Sequence, residues 1–164
     1  MATRIPRRPA AGFTLIELMI VLVIATILVA IAIPMYEHQI QESRRTEAKT
    51  ALLDLAGREQ RYFSVQNNFT TSFGDLGYAA AGSSPPSVTV GSGYYSVTVS
   101  VPAAAPDPQA ANIAAPSFSF TATPVAGSPQ ANDTACASFT VDSIGYQSAQ
   151  NSGSSDNTAT CWGH

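Results

Sequence analysis

The sequence predicts an α+β protein in which a long N-terminal helix packs on a small antiparallel β-sheet. The helix is hydrophobic in its first half and amphipathic in its second. Three observations support this prediction: an uninterrupted apolar run near the N-terminus, helical periodicity after it, and three later stretches that alternate apolar and polar residues. The 164 residues suffice for one domain with a modest core.

The apolar run extends over residues 13–33 and contains a single charged residue, Glu17. At about 1.5 Å per residue, a helix of this length reaches roughly 31 Å, enough to cross the core of a bilayer. Residues 1–12 contain three arginines and no acidic residue. This basic flank should stay in the cytoplasm, so the rest of the chain should lie on the other side of the membrane.

The small residues Ala10, Ala11 and Gly12 precede the apolar run. An ordinary secretory signal has the opposite order, with a shorter apolar core followed by a small-residue cleavage site. The reversed order suggests that residues 1–12 form a basic leader, which is removed on the cytoplasmic side while the helix stays on the mature protein. A twin-arginine signal is a second interpretation of Arg7 and Arg8, but the rest of that signal is missing.

Glu17 is an ionisable side chain inside the apolar run. Its charge costs roughly 2.5–3.5 kcal/mol at the centre of a membrane helix and less near an end. In one interpretation, it lies close enough to the interface to reach lipid head groups. In the other, cleavage after Gly12 creates an α-amino group on Phe13, and Glu17 neutralises that amine on its own or a neighbouring chain. Because an unpaired charge in an apolar layer is strongly disfavoured, such a pair would set the register of assembly.

The second half of the helix, predicted over residues 34–66, begins at Pro34. This proline lacks an amide donor and is expected to kink the helix. The apolar stripe that should pack on the head contains Ile40, Ala48, Ala51, Leu52, Leu55 and Tyr62. Most charged residues around it are interpreted as solvated, and the first candidates for subunit contacts are Glu42, Arg44, Arg45 and Glu47.

Residues 67–164 form the predicted globular head. Residues 67–93 are interpreted as an irregular connection, since Asn, Ser, Gly and Pro are frequent there. Alternating segments follow at 93–101, at 117–123 and around Phe139, and they predict an antiparallel sheet with one apolar face. Cys136 and Cys161 are the only cysteines, and in an exported domain they predict a disulfide that bounds the C-terminal region 136–161.

The segment from Gly12 to Leu18, GFTLIEL, resembles the signature of type IV prepilins. The resemblance implies cleavage between Gly12 and Phe13 by a prepilin peptidase. It also implies methylation of the new Phe13 amine and a role for Glu17 in assembly. The chain is therefore expected to have the type IV pilin fold.

Other parts of the chain carry weaker similarity to the same family. Pro34 matches its helix-kinking proline, whereas Asp54 stands where a second proline is often found. Similarity to PilE-type pilins, many of them minor pilus components, extends to 45–48, 76–78, 120–124 and Cys161-Trp162.

The resemblance implies a structural subunit of a type IV pilus, or fimbrium, as a minor component in the first interpretation. Such a pilus supports adhesion, twitching motility or DNA uptake. The expected partners are other pilin subunits, the prepilin peptidase and methyltransferase, and the inner membrane. The chain would span that membrane once, with a periplasmic head, before entering the extracellular pilus. Two alternatives stay open: a pseudopilin of a type II secretion system, and a membrane-anchored binding protein that does not polymerise.

No catalytic site, metal site or cofactor is predicted, and an enzyme is not expected. His38 and His164 lack the sequence context of a metal or triad residue. All eight lysines and arginines lie at or before Arg61. A direct nucleic-acid site on the later residues is therefore not expected, because phosphate binding requires clustered cations.

Overall fold

The computed structural model describes residues 13–78, 86–102 and 116–163. The predicted leader, including Gly12, lies outside these residues. Two compact units are distinguished, one ending at Gln39 and the other beginning at Ile40. The elements, in order, are α1 (Leu15–Gln66), β1 (Ser87–Val90), β2 (Tyr95–Ser100), β3 (Ser119–Pro124), a 3-10 turn (Pro129–Asn132), β4 (Ser138–Asp142), β5 (Gln147–Gln150) and α2 (Thr158–Trp162).

The five strands form one antiparallel sheet in the order β1-β2-β3-β4-β5, so each strand pairs with its neighbour in the sequence. The register places Val97 opposite Ala122, Phe120 opposite Val141 and Phe139 opposite Ala149. Apolar and polar residues alternate along these strands, and their apolar side chains are buried. The predicted α+β class and its antiparallel sheet are therefore confirmed.

The core of the second unit lies between this sheet and the part of α1 that follows Ile40. Ala48, Leu52 and Leu55 on the helix are completely buried in the same cluster as the strand residues. Aromatic rings extend the core beyond the helix: Phe69 lies 4.5 Å from Phe63 and 4.9 Å from Phe118, measured between ring centroids.

Two strands were not predicted. The interpretation of residues 67–93 as irregular is wrong at β1, where Val88 and Val90 are buried and pair with β2. Valine and threonine alternate before Gly91, which indicates a strand, but the neighbouring prolines and glycines favoured an irregular segment. Strand β5 is polar except for Ala149. It pairs with β4 through backbone hydrogen bonds, which cannot be predicted from a side-chain pattern.

Candidate assembly site

The first unit presents an exposed apolar helix surface. Every large hydrophobic side chain from Leu15 to Ile33 is more than half exposed in the single chain. Among the described residues, α1 is long and apolar enough to cross a membrane. Soluble monomers rarely expose apolar surface on this scale, so lipid or other protein must cover it.

The start of α1 has a side-chain cap. The Glu17 backbone N–H donates to Thr14 Oγ1 at 3.3 Å, and Leu15 is the first helical residue. Threonine is a favoured N-cap because its hydroxyl satisfies an amide that has no partner within the helix. A carboxylate in the first turn also interacts favourably with the helix dipole. The Thr-x-x-Glu spacing indicates such a cap, but the cap was not predicted from the sequence.

The residues of the predicted processing and assembly site are only partly described. Phe13 is 84% exposed and Glu17 is exposed, both at the N-terminal end of α1. Cleavage after Gly12, methylation of Phe13 and neutralisation of its amine by Glu17 stay predictions. Pro34 lies inside α1, which is helical on both sides of it, and the kink stays a prediction too.

A buried ion pair fixes α1 to the loop before β4. Arg45 Nε donates to Asp133 Oδ2, and Arg45 Nη2 donates to Asp133 Oδ1, both at 2.7 Å. The pairing with Asp133 raises the pKa of the Arg45 guanidinium. Arg45 is only 9% exposed. The expectation that it belongs to a solvated or subunit-contacting surface is therefore wrong.

Asp133 is also the centre of a small polar network between α1 and the sheet. Gln130 Nε2 donates to Asp133 Oδ2 and to the Tyr95 hydroxyl, each at 3.0 Å. The Cys136 backbone N–H donates to Asp133 Oδ1 at 3.3 Å. Burial raises the pKa of Tyr95 to about 12, so this hydroxyl stays protonated at any physiological pH. The network ties helix, sheet and disulfide together.

Other charged residues of α1 also contact the chain's own head. Glu47 accepts hydrogen bonds from the Ser92 backbone N–H at 2.8 Å and from its hydroxyl at 3.0 Å. The guanidinium of Arg44 lies 3.7 Å from the centroid of the Tyr94 ring. These contacts hold the β1–β2 turn against the helix. They show that Arg44 and Glu47 are not wholly solvated, and their role as subunit contacts stays a prediction.

The helix face that packs on the head begins and ends with an ionisable residue. Its buried members are Arg45, Ala48, Leu52, Leu55 and Glu59, which follow a helical spacing of three or four. Glu59 Oε1 accepts a hydrogen bond from the Thr70 backbone N–H at 2.6 Å. Glu59 Oε2 has no hydrogen-bond partner in the described part of the chain. Burial raises the pKa of this carboxyl.

The structure contains the predicted disulfide between Cys136 and Cys161, with Cα atoms 5.8 Å apart. It connects the start of β4 to α2. Trp162 follows the second cysteine, and its ring meets Phe139 edge-on at 5.9 Å while Nε1 donates to the Ser148 carbonyl at 2.9 Å. Packing and disulfide together hold α2 on the sheet.

The cations of the second unit all lie on α1. Arg45 and Arg58 each pair with a carboxylate, and the Lys49 Nζ lies 6.0 Å from the centroid of the Phe139 ring, near the limit of a cation–π contact. No lysine or arginine follows Arg61 in the sequence. All five strands therefore lack lysine and arginine side chains.

Comparison with known proteins finds two family matches. Residues 34–140, more than half of the chain, match the family described as type IV minor pilin ComP, DNA uptake sequence receptor. Residues 7–33 match the prokaryotic N-terminal methylation motif. The type IV major pilin protein PilA of Myxococcus xanthus (strain DK1622) is 43% identical over 68 residues. That stretch is 42% of this chain and 31% of the relative, so the chain spans about a third of the relative's length.

Proposed function

The chain belongs to the type IV pilin family of the ComP minor pilins, and we propose that it is a structural subunit that enters a pilus through its N-terminal helix. The observation that carries this proposal is the exposed apolar surface of residues 15–33 behind an N-terminal methylation motif. In the membrane, lipid covers this surface. In the fibre, the same surface of neighbouring subunits replaces the lipid.

The carboxylate of Glu17 gives this assembly its register. Cleavage before Phe13 leaves a positive amine at the end of an apolar helix, within a few residues of Glu17. Pairing the two charges between neighbouring subunits removes the cost of an isolated charge in the apolar fibre core, roughly 2.5–3.5 kcal/mol on insertion scales. A subunit in the wrong axial position loses this pairing. Docking is therefore favoured at one position only.

Substitution of Glu17 tests this assignment. We expect the E17A protein to be cleaved, to remain in the membrane and to enter sheared fibres at least tenfold less than wild type, because 1.4 kcal/mol corresponds to a factor of ten. The matched control is E37A, which removes the same side chain from an exposed position of α1 beyond the apolar run. Immunoblots of sheared-fibre and membrane fractions give both amounts. Equal incorporation of E17A and E37A would refute the pairing.

The role within the pilus is proposed as that of a minor subunit. The matching family is named for a minor pilin, whereas the relative from Myxococcus xanthus is named a major pilin. Quantifying this chain against the other pilins in sheared fibres separates the two roles. A cell with normal fibres but blocked export of secreted proteins after deletion of the gene would instead identify a pseudopilin.

DNA reception is a second candidate, since the description of the matching family names a DNA uptake sequence receptor. The charge distribution disfavours the sheet as its site, because no cation follows Arg61. We expect full-length protein in detergent to bind labelled duplex DNA weakly and without sequence preference in a fluorescence-anisotropy titration. Strong sequence-dependent binding that weakens with salt would favour a receptor.

A further inference from the structure

We propose that Glu59 acts as a pH-sensitive latch for the segment that leaves α1, residues 67–71, hereafter the exit segment. A neutral Glu59 carboxyl keeps the exit segment closed on the head, and ionisation of the carboxyl releases it. The inference goes beyond assembly through the N-terminal helix, because it concerns the head of a single chain.

One hydrogen bond joins the Glu59 side chain to the exit segment. The Thr70 backbone N–H donates to Glu59 Oε1 at 2.6 Å, whereas Glu59 Oε2 has no hydrogen-bond partner in the described part of the chain. The Glu59 side chain is completely buried. An ionised carboxylate in this position is far less favourable than a neutral carboxyl, because a buried charge needs more than one donor to replace its hydration.

The charged groups around Glu59 do not neutralise it. Arg58, its neighbour in the sequence, pairs with Asp54 at 2.7 Å, and Arg61 acts on the same carboxylate. Asp75 follows the exit segment and has the same sign of charge as an ionised Glu59. Burial raises the pKa of the Glu59 carboxyl, and Asp75 acts in the same direction, while the backbone hydrogen bond opposes them.

The sheet packed on α1 brings no lysine or arginine either, since none follows Arg61. Among the buried sheet side chains in the described ranges, Tyr95 is the ionisable one, and its hydroxyl stays protonated because its pKa is raised to about 12. Asp142 at the end of β4 is a further anion, and the turn after it contacts α1 through Gln60. Outside its own helix, an ionised Glu59 therefore faces anions.

The exit segment can open without the rest of the head. It begins at Asn67, whose φ of +53° is a left-handed conformation that ends α1. Phe69 is its one buried side chain, and this ring stacks on Phe63. The residues that follow are fixed separately, because Phe73 and Leu76 are buried in the core. Segments with few buried contacts open at a lower free energy than the core.

The direction of the pH dependence follows from the two forms of the latch. Opening lets the Glu59 carboxyl return to its ordinary pKa near 4.5. Because the pKa is higher in the closed form, the closed form binds the proton more tightly, and the opening constant is lowest below pH 4.5. Above that pH the constant rises by up to about tenfold per pH unit, and it levels off once the pH exceeds the pKa of the closed form.

Hydrogen exchange of the Thr70 amide tests the inference, because this amide donates to Glu59 in the closed form. Full-length protein with isotope-labelled threonine is studied in detergent by NMR from pH 4 to pH 7, and each rate is corrected for the intrinsic exchange rate. Thr121 and Thr140, in the interior strands β3 and β4, report opening of the core in the same spectra. We expect Thr70 to be at least about a hundredfold less protected than these two amides, and its protection to fall at least about fivefold over this range.

Two variants identify the titrating group. E59Q keeps an acceptor for the Thr70 N–H but cannot ionise, so its Thr70 protection should not fall as the pH rises. The matched control is E47Q, since Glu47 is a half-buried carboxylate of α1 that also accepts a backbone N–H, from Ser92 at 2.8 Å. E47Q should keep the wild-type profile at Thr70.

Three results would overturn the inference. The first is a wild-type Thr70 protection that does not fall with pH, and the second is an equal fall in E59Q. The third is equal protection of Thr70, Thr121 and Thr140, which would mean that Glu59 is released only when the whole head unfolds. The first and third results need wild type alone, so they decide the inference even if E59Q does not fold.

Discussion

The Arg45–Asp133 pair gives the sharpest stability prediction. Asp133→Ala leaves the Arg45 guanidinium buried without its anion and removes the acceptor for Gln130 Nε2 and the Cys136 N–H. Breaking a buried ion pair by removing one partner costs about 3–5 kcal/mol. Because domains of this kind are stable by about 5–15 kcal/mol, the head should remain folded but lose a large part of its stability.

Trp162 is the only tryptophan in the chain, so its fluorescence reports unfolding of the head. In urea titrations of the full-length protein in detergent, the predicted loss lowers the midpoint by about 1 M or more, given a slope of about 1–3 kcal/mol per molar urea. The double variant R45M/D133A should be more stable than D133A alone, because it no longer buries an unpaired charge.

The control is the half-buried pair between Asp54 and Arg58, whose Nε–Oδ2 distance is also 2.7 Å. Its side chains are about two-fifths exposed, and Asp54 also accepts a hydrogen bond from the Tyr78 hydroxyl at 2.8 Å, so D54A should cost about 1–2 kcal/mol. If D133A lowered the free energy of unfolding no more than D54A, or if the effects of R45M and D133A on it were additive, the buried pair would not stabilise the head.

Three further predictions concern the head. Burial raises the pKa of the Glu59 carboxyl above its value in the unfolded chain, near 4.5. Folding therefore favours the neutral carboxyl, and this contribution to stability is complete below that pH and is lost as the pH rises through the folded pKa. Wild type should lose stability relative to E59Q between pH 4 and pH 7, and parallel stability–pH curves for the two proteins would contradict this. Cys136→Ser should lower the free energy of unfolding by roughly 3–4 kcal/mol, a loss that reductant reproduces in wild type but not in the variant. Gly91→Ala should cost about 1–3 kcal/mol, because Gly91 has φ +58° and the added Cβ would lie 2.5 Å from Glu47 Oε2. Gly93→Ala should cost less in the same titration, because Gly93 has φ +88° but its added Cβ would meet no atom within 4 Å.

The sequence allowed the main elements of the fold to be predicted where side chains follow a period. The helix stripe is buried as expected at Ala48, Leu52 and Leu55. The apolar members of the alternating strands, such as Val97 and Phe120, are buried as well. Strand β5 could not be predicted in this way, since it lacks an alternating apolar pattern and pairs through its backbone.

Long-range polar contacts were the other limit. Arg45 and Asp133 are 88 residues apart, and no local pattern connects them. Arg45 and Glu59 do continue the spacing of the buried stripe, which was a signal that they face the head. Their charge favoured a solvated interpretation, because lysine, arginine, aspartate and glutamate are seldom buried without a partner, and only the three-dimensional structure reveals the partner.

The signature residues around Phe13 allowed the family to be inferred, but they do not report the mature chemistry. Mass spectrometry of this protein in fibres sheared from its source cells tests assembly through the N-terminal helix most directly. We expect a mature N-terminus at methylated Phe13, with residues 1–12 absent, in the fibre fraction. Protein that retains Met1–Gly12, or processed protein confined to the membrane fraction, would contradict assembly through the N-terminal helix.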